Sequence, residues 1–429
     1  MTIPNKPPKG FKDVFDNEAW MENVVSQTLT NLHHMRGYKL LKLPLIERTT
    51  SFSKEVVGSS PWPEWNEKNC ISLKLEDYNK SYQNVGNING LLIPEGTVSV
   101  ARWLSTIVED NNQILPLKIM YNCQCFRNES IESLIDGHKL RQFDQFEMEI
   151  LGSSSPYADI ETMLLIVDGL EHLGIDRKEI VVRLGDIRLF NYLSKETGLT
   201  ETDTVICKEL LDGIAEDRAK LKDISNMTNK LYQKINYHNL DPIIKSGWHD
   251  LTNISSNYKN IKETSKIIDK KQIDELKIMS NYLERLGVNS IIDLAVVRSH
   301  EYYTSIVMEV DVYNDKHQII EIAGGGRYDR LISPFTSEAC EPIPAIGYAY
   351  GLQRVCKLLS KTRKDNNIEF TMRLTPNDKL IIKPSGDPVQ DYQLANSYIS
   401  NGKQTEVYLG IDNTNIENYA RINKAKIIK

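Results

Sequence analysis

The fold is decided by two short runs of sequence, FRNE at residues 126–129 and RQFDQFEME at residues 141–149. Their pattern predicts two β-strands joined by a loop that contains Gly137 and His138. A period of two places Gln145, Glu147 and Glu149 on one face of the second strand, and Phe146, Met148 and Ile150 on the other. Burying such a polar row without partners costs several kcal/mol. The row therefore either faces solvent or holds a ligand with hydrogen-bond donors, such as an ammonium group.

The sequence on both sides of this strand pair favours an antiparallel sheet. Short apolar or alternating runs with Asn-Gly and Pro-Glu-Gly turns extend over residues 71–149, and two further strands are predicted at residues 293–310 and 317–324. Residues 345–359, which follow a turn with two prolines, are predicted to form a helix.

The N-terminal part of the chain predicts a helix followed by an edge strand. Apolar residues recur at helical spacing over residues 17–35, and the pattern breaks at Gly37. Residues 38–46 then read as a strand, in which Pro44 cannot donate to a ladder and so belongs at a sheet edge or a subunit boundary. This arrangement suits a dimer interface.

Changes in composition divide the chain into four units. Residues 186–287 are rich in Lys, Glu and Asp with helical spacing of Leu and Ile, which predicts a helical insertion. The insertion interrupts a core formed by residues 1–185 and 288–360. The polar residues 361–377 are predicted to form a linker, and residues 378–429 a small α/β unit.

Composition excludes several classes of protein. The 429 residues are 40% hydrophobic and 26% charged, as in a soluble globular chain of two or three domains. No stretch approaches the roughly 18 apolar residues of a membrane span, and the N-terminus lacks the apolar region of a secretory signal, so we expect a cytoplasmic protein. A net charge of −6 excludes a globally basic nucleic-acid binder and leaves room for a local basic face.

Cysteines and histidines do not recur at the spacing of a metal site. Six cysteines are spread along the chain, and only Cys123 and Cys125 are close, with both thiols on one face of a strand. We expect buried free thiols and no bound metal at the cysteines. His33, His34, His138 and His249 also lack ligand spacing and are expected at the surface or in loops.

The two opening runs resemble motif 2 of class II aminoacyl-tRNA synthetases, which reads Phe-Arg-x-Glu, a loop, and Arg-x-Phe-x-Gln-x-x-x-Glu. In that family the arginine of the motif binds ATP. The resemblance implies that Arg127 holds the α-phosphate and that Glu129 lies on the adenine side; a guanidinium suits bidentate phosphate contact. It also implies that Gln145 and Glu149 face the amino acid.

Further segments resemble the histidyl type of class II synthetase, in the order of that family. Residues 8–13 and 37–47 resemble the opening and motif 1, and residues 92–97 resemble the loop that reads Leu-Arg-Pro-Glu-Gly-Thr in the family. Residues 298–304 and 324–329 resemble two histidine-specific motifs, and residues 345–354 resemble motif 3. The resemblance covers roughly residues 7 to 359. It implies an α+β fold: a class II synthetase-type antiparallel sheet flanked by helices, with a helical insertion and a small C-terminal α/β unit.

These motifs assign roles to individual residues. By resemblance, Glu95 and Thr97 bind the α-ammonium group, Arg298 assists activation at the carboxylate and phosphate, and Arg354 contacts adenine and the γ-phosphate. The remaining residues assigned to the amino-acid pocket are Glu147, Tyr302, Tyr303, Gly325 and Arg327. Taken alone, Pro-Glu-Gly is an ordinary turn, and a glycine triplet is also compatible with a structural bulge.

The chain departs from the family pattern at several places near the expected site. Glu147 stands where the family usually has a small residue beside the imidazole of histidine, which suggests a more cationic or smaller amino acid. Ser299 and His300 replace Gly-Leu, and Ile93 replaces an arginine. The C-terminal unit resembles the start of an anticodon-binding domain and is expected to be truncated.

The resemblance implies ATP-dependent formation of an aminoacyl adenylate, assisted by Mg2+, in a homodimer. The acyl group then passes to tRNA or, in a paralogue, to another acceptor. The alternative is a non-catalytic regulatory paralogue, similar to the histidine-sensing subunit of ATP phosphoribosyltransferase. Retention of Arg127, Arg298 and Arg354 favours the enzyme, because a regulatory subunit has no need for three cations that face a triphosphate.

Overall fold

The fold was determined as a computed structural model. It describes residues 5–15, 17–58, 70–78, 84–109, 115–130, 140–219, 222–253, 270–298, 300, 302–313, 319–337, 341–362, 379–411 and 413–428. Several predicted features lie outside the described residues: the loop with Gly137 and His138, Ser299, Cys340 and nearly all of the linker.

An eight-stranded sheet forms the centre of the molecule. Its strands are β1 (Lys39–Leu40), β5 (Leu117–Phe126), β6 (Gln142–Leu151), β7 (Ile180–Asp186), β8 (Asn289–Ile292), β9 (Ile306–Tyr313), β10 (Ile319–Arg327) and β11 (Ala345–Gly351). They lie in the order β1-β5-β6-β11-β10-β9-β7-β8. Every pair from β5 to β7 is antiparallel, whereas the outer pairs β1/β5 and β7/β8 are parallel. The predicted antiparallel sheet is confirmed, with parallel edges.

Two smaller sheets flank the large one. Strands β2 (Ile46–Arg48), β3 (Ser72–Tyr78) and β4 (Asn84–Leu92) form an antiparallel sheet in the order β2-β4-β3. Strands β12 (Lys379–Ile382), β13 (Gln404–Val407) and β14 (Lys426–Ile428) form a parallel sheet in the order β13-β12-β14.

The helices of the described residues fall into three groups. Those of the core are α1 (Asn17–Met35), α2 (Lys54–Val57), α3 (Thr97–Glu109), α4 (Pro156–His172) and α10 (Leu352–Thr362). Between β7 and β8 lie α5 (Ile187–Thr197), α6 (Glu201–Ala219), α7 (Ser225–Lys234), α8 (Pro242–Asn253) and α9 (Lys270–Arg285). The C-terminal unit contains α11 (Pro388–Ser400) and α12 (Ile416–Ile422). Among the described residues, no helix is long and apolar enough to cross a membrane.

Helices cover one face of the large sheet because that face is apolar. Phe146, Met148 and Ile150 of β6 are fully buried in the main core together with α1 and α4. Helix α4 is buried along most of its length. It begins sharply because the Ser155 hydroxyl accepts a hydrogen bond from the Tyr157 amide and Pro156 occupies the first turn. The other face carries the polar side chains of β6, next to a second apolar cluster that packs on α3.

Three strand and helix boundaries differ from the sequence prediction. Residues 38–46 are divided between β1 and β2, with Pro44 in the interruption, because proline cannot continue a ladder. The described residues between 293 and 305 are not part of a strand, and β9 begins only at Ile306. Residues 345–351 form strand β11 rather than the start of a helix, and they pair with β6 and β10 on both sides. Helix α10 follows directly.

His33 is a core residue and not the surface residue that its sequence context predicted. Its ring is fully buried, with Nδ1 2.7 Å from the Leu29 carbonyl and Nε2 2.5 Å from the Tyr348 hydroxyl. A carbonyl can only accept, so Nδ1 carries the proton and Nε2 accepts from the tyrosine. Burial lowers the pKa of His33 to about 4, and the ring is neutral at pH 7.

Buried ion pairs join the C-terminal unit to the core. Lys118 of β5 lies 3.0 Å from Glu161 of α4 and 3.2 Å from Glu406 of β13, and all three side chains are nearly inaccessible to solvent. Arg36 reaches Asp168 of α4 and Asn396 of α11. The two units therefore share charged groups that neither could bury alone.

Candidate active site

A pocket opens on the polar face of the large sheet. Strand register places Tyr121, Glu147 and Ala349 side by side on β5, β6 and β11, and Gly347 lies beside Glu149. The alternation of β6 predicted from the sequence accordingly brings Gln145, Glu147 and Glu149 into one pocket.

Glycines form the floor of this pocket because the side chains of Glu149 and Arg298 occupy the space above them. A Cβ at Gly347 would collide with the Glu149 carboxylate, and one at Gly324 would lie 2.6 Å from an Arg298 guanidinium nitrogen. Both glycines have ordinary backbone angles, so close approach rather than positive φ requires them. The glycines therefore leave room for the Glu149 carboxylate and the Arg298 guanidinium to enter the pocket.

Two neighbouring carboxylates are bound by tyrosine hydroxyl groups. Tyr121 lies 2.8 Å from Glu147 Oε2 and 3.1 Å from Glu149 Oε1, and the Tyr328 hydroxyl donates to Glu149 Oε2 at 2.7 Å. Burial, followed by the negative charge of Glu95, raises the pKa of Glu147 to about 8. Burial, followed by the charge of Glu147, raises the pKa of Glu149 well above its usual range. The pocket therefore stabilises positive charge.

Glu95 is a third buried carboxylate, and it also caps the N-terminus of α3. Its oxygens accept hydrogen bonds from the amides of Thr97 and Val98, at the N-terminus of α3, and from the Tyr302 hydroxyl. A carboxylate at this position stabilises the start of a helix. Burial still raises the pKa of Glu95, and the residue lines the pocket.

Two thiols lie beside the carboxylates. The Sγ atoms of Cys123 and Cys125 are 3.4 Å apart, and Cys125 Sγ is 3.0 Å from Gln145 Oε1. Both cysteines are buried and unoxidised, as are Cys70, Cys207 and Cys356. The hydrogen bond from Cys125, followed by burial, raises the pKa of the Cys123 thiol well above its usual range. The expected buried free thiols are present at these five positions.

One acid links two arginines at the other end of the pocket. Arg298 Nη1 lies 2.9 Å from Glu321 and 3.1 Å from Glu309, and Arg354 Nη1 lies 3.1 Å from Glu321. Burial alone would raise the pKa of Glu321, but the positive charges of Arg298 and Arg354 lower this pKa to about 2. Arg298 has a φ of 53°, a backbone conformation that is rare for a side chain of this size.

Arg127 borders the pocket on the motif 2 side. Its Nε donates to the Pro94 carbonyl at 3.1 Å, and its guanidinium lies 4.8 Å from the centre of the Phe143 ring. Stacking on an aromatic face orients the planar guanidinium group.

A sequence model of histidyl-tRNA synthetase matches residues 10–355. The chain belongs to the histidyl-tRNA synthetase family. It is 28% identical over 354 residues to the histidine--tRNA ligase of Methanococcus aeolicus, covering 81% of this chain and 75% of the relative. It is 26% identical over 412 residues to the ligase of Methanococcus maripaludis, covering 94% and 86%.

Solved structures share the fold of this histidyl-tRNA synthetase family member. An ATP phosphoribosyltransferase regulatory subunit/histidyl-tRNA synthetase from Bacillus halodurans C superimposes with a TM-score of 0.63 at 19% identity, covering 100% of this chain and 98% of the other. Apo histidyl-tRNA synthetase from S. aureus gives a TM-score of 0.54 at 19% identity, covering 100% and 91%. The fold class predicted by resemblance is confirmed.

Most residues that the family motifs assign to the site meet in the pocket. On the amino-acid side these are Glu95, Thr97, Gln145, Glu147, Glu149, Tyr302 and Tyr303, and on the phosphate side Arg127 and Arg298. Arg354 is not part of the lining but connects to it through Glu321. Glu129 also lies outside the lining, next to residues 131–139, which the structure does not describe.

Gly325 and Arg327 are not brought into the pocket. Alternation along β10 turns Gly324 towards the ligand space and its neighbour Gly325 towards Tyr348 on the opposite face. Arg327 shares that opposite face, where it binds Asp159 of α4, the Ser153 carbonyl and Asp329. These contacts connect the sheet to α4, so the structure places Arg327 outside the pocket lining, and its assignment to amino-acid binding stays a prediction.

Several pocket residues were not assigned from the sequence. Tyr121 and Tyr328 bind the carboxylates, and His300 lines the pocket. Tyr328 lies within a recognised motif, so motif position could have identified it. Tyr121 precedes Cys123 and Cys125 at a period of two, but only pairing with β6 shows which face these residues share.

Proposed function

We propose that this protein activates an amino acid with ATP, forming an aminoacyl adenylate and pyrophosphate. The observation that carries the proposal is the arrangement of charge in one pocket. Buried carboxylates lie at one end, and arginines suited to a triphosphate lie at the other. An amino acid and ATP need these opposite charges side by side.

The carboxylate end would bind the α-ammonium group. Glu149 and Glu95 are buried and polarised by tyrosine hydroxyls, and the pKa of each is raised in the absence of a cation. An ammonium group between them would relieve their burial cost and point the substrate carboxylate towards the arginines. Thr97 Oγ1, which donates to Glu149 at 3.1 Å, would keep that carboxylate in place.

The arginine end would bind the triphosphate. Arg127 and Arg298 border the pocket directly, and Arg354 stands behind Glu321. When the substrate carboxylate oxygen bonds to the α-phosphorus, the bond to the bridging oxygen breaks and pyrophosphate leaves with that electron pair. No proton transfer is needed. The arginines would stabilise the charge that builds up on the phosphate oxygens.

Glu309 and Glu321 fit the Mg2+ that the reaction requires. Mg2+ is held in such sites by one or two carboxylates together with substrate phosphates and water. The two carboxylates both contact Arg298, so they already lie where a phosphate chain bound by that arginine would be. When bound, Mg2+ supplies further neutralisation of the triphosphate.

Glu147 bears on which amino acid is activated. Its carboxylate lines the pocket beside Glu149 and has no lysine or arginine partner among the described residues. An additional acid suits a more cationic or smaller side chain than histidine. The acceptor of the acyl group would be tRNA, as for the named relatives, or another nucleophile if the chain is a paralogue.

Exposed apolar residues support a homodimer. Leu40 lies on β1, the edge strand of the large sheet, and Ile46 lies on β2, an edge strand of a three-stranded sheet, with Leu45 directly before it. All three side chains are exposed, as is Trp20 of α1. Apolar side chains clustered at an unpaired strand edge favour association. We expect sedimentation to give a dimer, and Leu40→Lys to shift it towards monomer if this edge is the interface.

A regulatory subunit is the second candidate, because the Bacillus halodurans structure with this fold carries both descriptions. Amino-acid-dependent exchange of labelled pyrophosphate into ATP separates the two. We expect exchange with one amino acid out of twenty. Amino-acid binding without any exchange would support the regulatory subunit and overturn the enzyme.

Variants then test the arginine end. Arg298→Lys keeps the charge near Glu309 and Glu321 and should fold, but it loses the planar fork, so exchange should fall by about 100-fold or more. Arg421→Lys on α12 is the matched control, because this arginine is exposed and its guanidinium donates to Asn418, far from the pocket residues in the sequence. Equal exchange in both variants would refute a role for Arg298. A charging assay with total tRNA then identifies the acceptor.

A further inference from the structure

Two thiols and one carboxylate converge on a single point beside the pocket. Cys123 and Cys125 project from the same face of β5, and Glu147 projects from the adjacent strand β6, diagonally across from Cys123. The Sγ atoms and a Glu147 oxygen all lie within 4.8 Å of one another. All three side chains are buried: Glu147 and Cys123 expose 2% and Cys125 exposes nothing.

Glu147 is incompletely satisfied in this position. Oε2 accepts from Tyr121, but Oε1 has no partner at hydrogen-bonding geometry within the described residues, although the Cys123 thiol and Gly96 lie next to it. Leaving a buried carboxylate oxygen unsatisfied is costly. A cation bound between this oxygen and the two thiols would supply the interaction that the carboxylate lacks.

We propose that Cys123, Cys125 and Glu147 bind a zinc ion and leave its fourth coordination position open to the pocket. The donor set selects the metal, because thiolates suit Zn2+ and exclude Mg2+ and Ca2+, and the carboxylate disfavours Cu(I). Binding displaces both thiol protons, and any proton on Glu147, to solvent. Three protein ligands with one open position are the arrangement of a zinc site that binds a substrate or water.

The distances fit this ion with small movements. Zn–S bonds of about 2.3 Å and a Zn–O bond of about 2.1 Å require S···S and S···O separations of about 3.8 and 3.6 Å in a tetrahedron. The two Sγ atoms are 3.4 Å apart, and the third ligand atom lies within 4.8 Å of each. Side-chain rotations that move the ligand atoms by about 1 Å would bring all three to bonding distance from one ion. The same S···S distance is far from the roughly 2.05 Å of a disulfide.

The open fourth coordination position would allow the zinc ion to bind a ligand in the pocket. Because Glu147 lines the ligand space, a fourth ligand can come from a nitrogen, oxygen or sulfur atom of the bound amino acid. This part of the inference rests on the proposed function. Zinc would then select a substrate by the donor atom that it offers, and this selection would replace the preference for a cationic side chain that a free Glu147 implies.

Metal content tests the site without reference to activity. The full chain is stripped with a chelator, reloaded with Zn2+, gel filtered and analysed for metal, and Co2+ loading is followed by the thiolate-to-cobalt charge-transfer band. We expect one zinc ion per chain and the band in wild type. Glu147→Gln, which preserves shape, should bind Zn2+ at least about 10-fold more weakly, and Cys123→Ser should lose the band.

Cys356→Ser is the matched control, since Cys356 is buried in α10, outside the cluster. It should retain both zinc and the band. Two results would overturn the proposal: stripped wild type that does not take up one zinc ion per chain, or equal zinc uptake in Cys123→Ser and wild type. Either result would leave a protonated Glu147 as the resting state. Zinc uptake without pyrophosphate exchange would support the site and overturn the proposed function instead. Exchange that survives removal of zinc with unchanged KM for the amino acid would refute zinc as a substrate ligand.

Discussion

The buried imidazole of His33 should make the stability of this protein depend on pH in one direction. His33 is neutral in the folded chain because burial, followed by the charges of Arg36 and His172, lowers its pKa from 6.5 to about 4. In the unfolded chain the ring returns to its ordinary pKa. As the pH falls from 6.5 to about 4, the unfolded chain takes up a proton that the folded chain does not.

The size of this effect follows from the two pKa values. At 1.36 kcal/mol for each pKa unit, a fall from 6.5 to about 4 removes roughly 3 kcal/mol of folding free energy, all of it lost by pH 4. Other buried acids titrate in the same range, so the comparison must be with a variant that removes only this ring. His33→Gln is neutral at every pH and keeps both a donor and an acceptor.

The assay is urea unfolding of both proteins at a series of pH values. The free energy of unfolding of wild type minus that of His33→Gln should fall by about 3 kcal/mol between neutral pH and pH 4. His249→Gln, at an exposed position, should show no such trend. NMR of labelled imidazoles gives the pKa directly. A His33 resonance that titrates near 6.5 in the folded protein, or a difference that does not vary with pH, would refute the reasoning.

Three further changes probe the interior and the pocket. Lys118→Met should cost about 3–5 kcal/mol in urea unfolding, because it leaves Glu161 buried without its cation; Lys178→Met, at the surface, should cost little, and similar losses in both would contradict the argument. Gly347→Ala should abolish exchange, because the new methyl group would overlap the Glu149 carboxylate and lie 2.6 Å from the Met148 carbonyl oxygen; circular dichroism separates loss of the site from loss of the fold, and unchanged exchange would show that this floor is not part of the site. Glu149→Gln keeps shape but removes the charge that binds ammonium, so KM for the amino acid should rise about 10-fold or more, and a change in kcat alone would argue against that contact.

Local periodicity was sufficient where one face of an element is buried. The predicted helix at residues 17–35 coincides with α1, and the alternation of residues 141–149 identified which side chains of β6 enter the pocket. Residues 345–351 were misread because glycine and alanine alternate there with tyrosine, and tyrosine is compatible with helix and strand. The flanking strands β6 and β10 decide the outcome, and they are distant in sequence.

Pairing between strands explains what the sequence could not predict about the site. The spacing of Cys123 and Cys125 alone predicted no metal site, because the third member of the cluster proposed above, Glu147, comes from the next strand. Arg327 belongs to a recognised motif, yet its position on β10 turns it towards α4. Motifs indicate the chemistry of a site, whereas register decides which residues take part.

The buried Lys118 also has a consequence for the order of events during synthesis. Its ammonium group contacts Glu161 soon after both are made, but it also donates to the Val407 carbonyl, 289 residues later in the chain. At about 5–20 residues per second, a ribosome needs roughly 15–60 s to supply that segment. Over this interval the large sheet of the nascent chain holds the charge of Lys118 before its second acidic partner, Glu406, has been synthesised. We expect chains stalled before residue 404 to be cut by protease near β5 faster than released chains. Equal rates of cleavage would show that the large sheet becomes protected before the C-terminal strands are made.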